Sequence, residues 1–227
     1  MTAPAGAAAL AAAYEAVTAT VLPLTDDDLL RGTRCRGWVV ADLLHHLLED
    51  ARRALVTLAS TVAGPSDVDF VSYWSASPDS GEPAPSRHEA WLNRRAASAY
   101  DRPSAIVAVW AGTAPAAVRA ASAADPALFV ATQGHVLAVP DFVATLVTEA
   151  VVHHLDLSVD LPSAVEPPEV ALAVAVSTMD GLLSDEVVRP MSWSPTEYLL
   201  KASGRQSLTR RDRVALGEAA GWFPLLS

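Results

Sequence analysis

The segment 140–159, PDFVATLVTEAVVHHLDLSV, constrains the fold more than any other part of the chain. Its spacing is helical, and Pro140 is a natural first-turn residue. Phe142, Val143, Ala144, Leu146, Val147, Ala150, Val151, Val152 and Leu155 cover almost its whole circumference. A helix apolar all round has to be enclosed by other elements. Inside it, Glu149 and His153 (i, i+4) fall about 40° apart on the helical wheel, and Asp156 returns to the same stripe. A carboxylate buried without a partner is costly, so a facing element has to compensate these groups.

The remaining pattern supplies helices to do the enclosing. Helical signals cover residues 4–21 and 38–61, the latter being the clearest amphipathic stretch, ended by Gly64–Pro65. LTDDDLL (24–30) reads as a polar turn or short helix capped by Thr25. Prolines, glycines and serines make 64–85 a long connecting loop with little to bury. A further helix is expected over 86–100, broken at Pro103, with the pattern resuming through Trp110 and a separate short helix over 115–124. FVATQGHVLAVP (129–140) reads as a strand-like or irregular connection beside a site. After a proline-marked linker at 160–170, helical segments are expected at 168–186 and 207–220, the last capped by Ser207 or Thr209. EYLLKASG (197–204) is a short helix or strand. The expected fold is all-α: a four-helix bundle over residues 1–160 and an extension, residues 161–227, packed against it.

Charge and composition narrow the function. A net charge of −10 excludes the basic face of a nucleic-acid binder. No apolar run reaches the ~18–20 residues of a membrane span. The start of the chain lacks a basic stretch and Glu15 interrupts its apolar run, so no signal peptide is read there. A cytoplasmic protein with no nucleic-acid or membrane partner, a monomer or a homodimer, is the expectation. The single cysteine, Cys35, rules out an internal disulfide and is assigned to packing at a helix entrance.

Glu149 and His153 are two ligand types one turn apart, and a catalytic metal site usually takes a third from the protein. The helix at 38–61 offers His45 and His46. Its apolar arc of Val39, Val40, Leu43, Leu44, Leu47, Leu48, Leu55 and Leu58 puts His45 on the opposite, solvent side. His46 lies at the edge of the arc, one turn before Asp50. Geometry selects His46 as the third ligand. His154 points elsewhere and reads as a core-edge or surface histidine. By residues alone, a buried Glu–His pair without an ion stays open.

TRCRGWVVADLLHHLLED (33–50) resembles the first motif of the DinB/YfiT-like superfamily, specifically its mycothiol-dependent maleylpyruvate isomerase-like group. TEAVVHHLDL (148–157) is similar to that group's second motif, Glu-x-x-x-His-x-x-Asp. The tail SGRQSLTRRDRVALGEAAGWFPLLS is similar to tails of actinobacterial members. The resemblance implies a DinB/YfiT-like four-helix bundle and a metal held by His46, Glu149 and His153. Arg36, Ala41 and His154–Leu155 depart from residues common in the group, which bears on the substrate and not on the metal.

A His₂Glu set with an open position suits Zn²⁺ first among divalent ions. Asp156 is expected to orient His153 by accepting its other N–H, and Asp50 to support the His46 side. The resemblance supplies the thiol, mycothiol, as cosubstrate for transfer to, or isomerisation of, a small electrophilic metabolite. Its polar sugars need an anchor, for which Arg205 ranks ahead of Arg94 and Arg95. A metal-dependent hydrolase using water at the open position, and a non-catalytic binding module, are the alternatives.

Overall fold

In the computed structural model of the chain, the described residues are 6–75, 87–161, 164–183, 187 and 189–226. Four long helices form the bundle: α1 (Gly6–Val21), α3 (Val40–Ala59), α5 (Pro103–Ala123) and α6 (Val139–Leu157). They pack as a ring, α1 on α5, α5 on α3, α3 on α6 and α6 back on α1. Five shorter helices complete the described set: α2 (Asp26–Leu29), α4 (Arg87–Ala97), α7 (Glu169–Leu183), α8 (Pro195–Ala202) and α9 (Arg210–Leu216). The protein is therefore all-α, as its resemblance to DinB/YfiT-like bundles implies. The first two helices of the tail pack inward: α7 lies on α6 and α1, and α8 on α7 and α6.

Local chemistry sets the boundaries. Thr25 and Asp28 cap α2 reciprocally, and Thr209 and Asp212 do the same for α9, so Thr209 and not Ser207 is the cap. Asp42 accepts the Val39 N–H at 3.0 Å where α3 begins. As the core of the ring, α6 buries Phe142, Val143, Leu146, Val147, Val151 and Leu155 together, on more than one face.

Four expectations need correcting. Pro103 does start a new helix, but α5 runs unbroken to Ala123 with Pro115 inside it. A proline there forfeits one backbone bond, and packing on α3 and α1 outweighs that loss. Continuous, α5 is long and apolar enough, by length and composition, to cross a membrane, where the divided reading found no such run. The stretch 129–140 is a regular antiparallel hairpin, β2 (Phe129–Thr132) and β3 (His135–Ala138), extended by β1 (Thr61–Val62) to a sheet of order β1-β2-β3. Gln133 and Gly134 turn the hairpin with φ of 49° and 83°, the paired positive values of a tight two-residue turn. The loop after α3 also buries more than expected, with Phe70 fully enclosed and Val68 nearly so. Its stretch 76–86 lies outside the described residues.

His45 is the fourth correction. It is 5% exposed and not on a solvent face. Helix α4 covers that side of α3: Asn93 Oδ1 accepts from His45 Nδ1 at 2.8 Å, and its amide N–H donates to the Asp42 carbonyl at 2.8 Å. A single-helix wheel has no knowledge of α4. His154 is buried as well, its Nε2 2.9 Å from the Thr20 hydroxyl, and burial lowers its pKa to about 4.

Candidate metal centre

The loop between α2 and α3 brings the two motifs together. The Arg34 N–H donates to the Asp156 carbonyl at 3.1 Å, and the Arg34 guanidinium donates to the Leu155 carbonyl. Thr33 folds the loop on itself through the Cys35 N–H at 3.1 Å, and Gly37 takes the positive φ of 80° that closes it before α3. These bonds seat the start of α3 against the C-terminal half of α6.

His46 from α3 and Glu149 and His153 from α6 then converge. Their donor atoms all lie within 4.8 Å of one another. Glu149 Oε2 is 3.0 Å from His153 Nε2 and 4.0 Å from His46 Nε2, and the two imidazoles meet edge to face at 4.9 Å. Ligands held at about 2.0–2.1 Å around a tetrahedral ion stand roughly 3.3 Å apart, so no pair of the three donors has to close by more than about 1.5 Å to share one ion. Trp38 forms a wall beside His46, ring centroids 5.5 Å apart. The side chain of His46 is 32% exposed, so the cluster opens to solvent on that side.

The electrostatics suit cation binding. Burial works against charge on Glu149, yet the His153 hydrogen bond and charge, with His46 and Arg53, lower its carboxyl pKa to about 2. Burial also opposes protonation of His153, but hydrogen bonds to Asp156, Cys35 and Glu149 hold that imidazole well above its ordinary value. For His46, burial dominates Asp50 and Glu149 and pushes the pKa down, leaving a neutral donor nitrogen. His153 thus favours positive charge between Glu149 and Asp156, charge that a bound cation would supply in its stead.

A second group of metal-ligating types, Cys35, His153 and Asp156, lies on the other side of the His153 ring. There a cation is already present. Arg205 Nη2 is 3.0 Å from Asp156 Oδ2, and its Nε is 3.2 Å from both carboxylate oxygens. Asp156 is fully buried and also takes His153 Nδ1 at 3.1 Å and the Cys35 thiol at 3.3 Å. The guanidinium occupies the charge-balancing place, so this group orients His153 and leaves its Nε2 for the first cluster. Burial would raise the Asp156 pKa, but His153 and Arg205 hold it below the ordinary range.

Arg205 reaches the site because Gly204 turns the chain after α8 with a φ of 73°. A side chain at Gly204 would press on Pro224 at 3.2 Å. Arg205, Arg34, Cys35, Ser203 and Pro224 line a cavity of about 470 Å³ at the seam between the bundle and the tail. Arg94 sits apart, donating to the Gly37 carbonyl at 3.3 Å, and Arg95 lies over the Trp91 ring at 5.3 Å.

Asp50 flanks the cluster, its Oδ2 3.8 Å from His46 Nε2. Arg53 holds the other oxygen at 2.6 Å and reaches on to the Thr132 hydroxyl at 3.3 Å and the Tyr73 hydroxyl at 3.5 Å. Tyr73 in turn donates to the Gln133 side chain at the hairpin tip. Arg53 was not among the residues singled out by sequence, although its i, i+3 spacing from Asp50 carried the signal.

Residues 10–158 match the family model described as the mycothiol maleylpyruvate isomerase N-terminal domain. No curated protein matches the chain, and no solved structure does.

Proposed function

Because the chain belongs to the mycothiol maleylpyruvate isomerase N-terminal domain family, we propose that it is a mycothiol-dependent metalloenzyme. It acts on a small electrophilic metabolite by thiol transfer or cis–trans isomerisation, in the cytoplasm. The observation that carries this reading is the convergence of His46, Glu149 and His153 from two helices, all donor atoms within 4.8 Å. These three hold the divalent ion, Zn²⁺ being the best match to two imidazoles and a carboxylate. When bound, such an ion stabilises a thiolate that would be only a few per cent ionised at neutral pH with a free thiol pKa of ~8.5.

The chain's own groups do the rest. Asp156 fixes the His153 ring by holding Nδ1, and Arg205 keeps Asp156 ionised. Trp38 and the apolar walls of α3 and α6 limit water at the donor atoms. Cys35 acts through packing and its thiol hydrogen bond to Asp156, and the incoming thiol is the nucleophile. The metal-binding unit is residues 1–160, and residues 161–227 are an extension that delivers Arg205. The seam cavity beside Cys35 and Arg205 accommodates the sugar portion of mycothiol.

The test is metal content and thiol binding. The purified protein is expected to hold one divalent ion per chain and His153→Ala none. Adding mycothiol to a Co²⁺-loaded sample should produce a sulfur-to-metal charge-transfer band. Full occupancy in His153→Ala refutes the ligand set. A loaded protein with no band at saturating thiol, and activity unchanged without thiol, favours hydrolysis instead.

A further inference from the structure

Asp50 is a carboxyl group beside the metal donors but outside the donor set itself. It is 6% exposed, and Arg53 binds only its Oδ1, at 2.6 Å. Its Oδ2 is buried with no hydrogen-bond partner in the protein. That oxygen stands 3.8 Å from His46 Nε2, closer than the 4.0 Å of Glu149 Oε2, so it lies beside the donor cluster. It cannot swing away, because Arg53 is itself held by Thr132 and Tyr73. A buried acceptor left without a donor costs about 1–3 kcal/mol, which a ligand that brings the donor recovers.

We propose that Asp50 Oδ2 is the specificity-determining acceptor of this site. The small molecule it takes carries a hydrogen-bond donor, a hydroxyl or an ammonium group, beside its reacting thiol or electrophilic carbon. A carboxylate at that position is disfavoured, since two acceptor oxygens meet there and the Arg53 guanidinium is engaged on the far oxygen of Asp50. Sites with a buried unpaired polar group discriminate strongly by this means. The inference rests on the proposed metal site, whose donors lie beside that oxygen.

The experiment uses the full chain loaded with Co²⁺ and titrated with three thiols of matched length: 3-mercapto-1-propanol, 3-aminopropanethiol and 3-mercaptopropionate. Binding is read from the charge-transfer band. Intrinsic chelation differs among the probes, so the decisive quantity is the ratio of carboxylate to hydroxyl or ammonium dissociation constants, compared between proteins. In D50N the amide oxygen must face Arg53, which only donates, so an N–H turns toward the donor cluster. The ratio is expected to fall by about tenfold or more in D50N. Asp50→Ser, which also removes the carboxylate, should lower it in the same direction by about threefold or more. Unchanged ratios in both variants, or in Asp50→Ser alone if D50N does not fold, overturn the inference. Wild-type protein that holds no metal or shows no thiol band overturns the proposed function and this inference with it. A loaded, thiol-binding protein with an unchanged ratio overturns this inference alone.

Discussion

Replacing Arg205 with alanine isolates the one contact through which the tail reaches the metal cluster. In the wild type, Asp156 is fully buried and receives Arg205 at 3.0 and 3.2 Å, His153 Nδ1 at 3.1 Å and the Cys35 thiol at 3.3 Å. Removing one partner of a buried ion pair costs about 3–5 kcal/mol, chiefly because a charge is left behind without compensation. Two features move the value to the lower end. The Arg205 side chain is 21% exposed, and His153 and Cys35 remain as donors to the stranded carboxylate. The expected loss is therefore about 3 kcal/mol. For a chain of this length that is a fall in melting temperature of roughly 6–12 °C. The measurement is urea unfolding at pH 7 with a chelator present, so that metal linkage does not contribute. Asp156→Ala should cost less, about 2 kcal/mol, because the freed guanidinium can turn to water. The double variant should fall short of the sum of the two by at least about 1 kcal/mol, since both remove the same pair. If Arg205→Ala lies within about 0.5 kcal/mol of the wild type, the pair is not a structural element and Arg205 is free to serve a ligand.

Three further outcomes follow from the packing. His45→Ala should leave metal occupancy unchanged by elemental analysis yet lower stability by about 1–2 kcal/mol, because Asn93 loses its buried partner. Trp110→Ala should cost about 3–5 kcal/mol in denaturant melts, since the fully buried ring packs on Tyr14 and its Nε1 donates to Thr18 at 2.9 Å. In the tail, burial opposes ionisation of Asp212, but Lys201 at 2.7 Å, the Thr209 backbone and Trp193 at 2.9 Å hold its carboxyl well below the ordinary range. A depressed carboxylate contributes stability that is full above its unfolded pKa of ~3.9 and is lost as pH falls toward the folded value. Apo-protein melts recorded from about pH 4 downward should therefore lose less stability per pH unit in Asp212→Asn than in the wild type.

What the chain determines locally was legible in it. The helical period of 140–159, the caps at Thr25 and Thr209 and the spacing of Glu149, His153 and Asp156 all follow from neighbours within one or two turns. For the same reason His46 could be separated from His45: the edge of an apolar arc is a property of a single helix. The hairpin at 129–138 was only half visible, because Gln133–Gly134 is a weaker turn signal than Asn–Gly and β1 lies far away in sequence.

Only the tertiary structure decided the contacts between distant segments. His45 is buried because α4, reached through a long connection, returns to cover α3 and offers Asn93. Arg205 meets Asp156 because α8 packs on α6 and Gly204 turns the chain back, a partnership 49 residues apart. Asp50 keeps one oxygen unpaired because Arg53 is drawn toward the hairpin by Thr132. Helical periodicity states which face of a segment seeks cover and which groups share a stripe. It carries no information on which distant element supplies the cover or the counter-charge, because those depend on how loops of arbitrary length close, at an entropic cost that changes only slowly with their length.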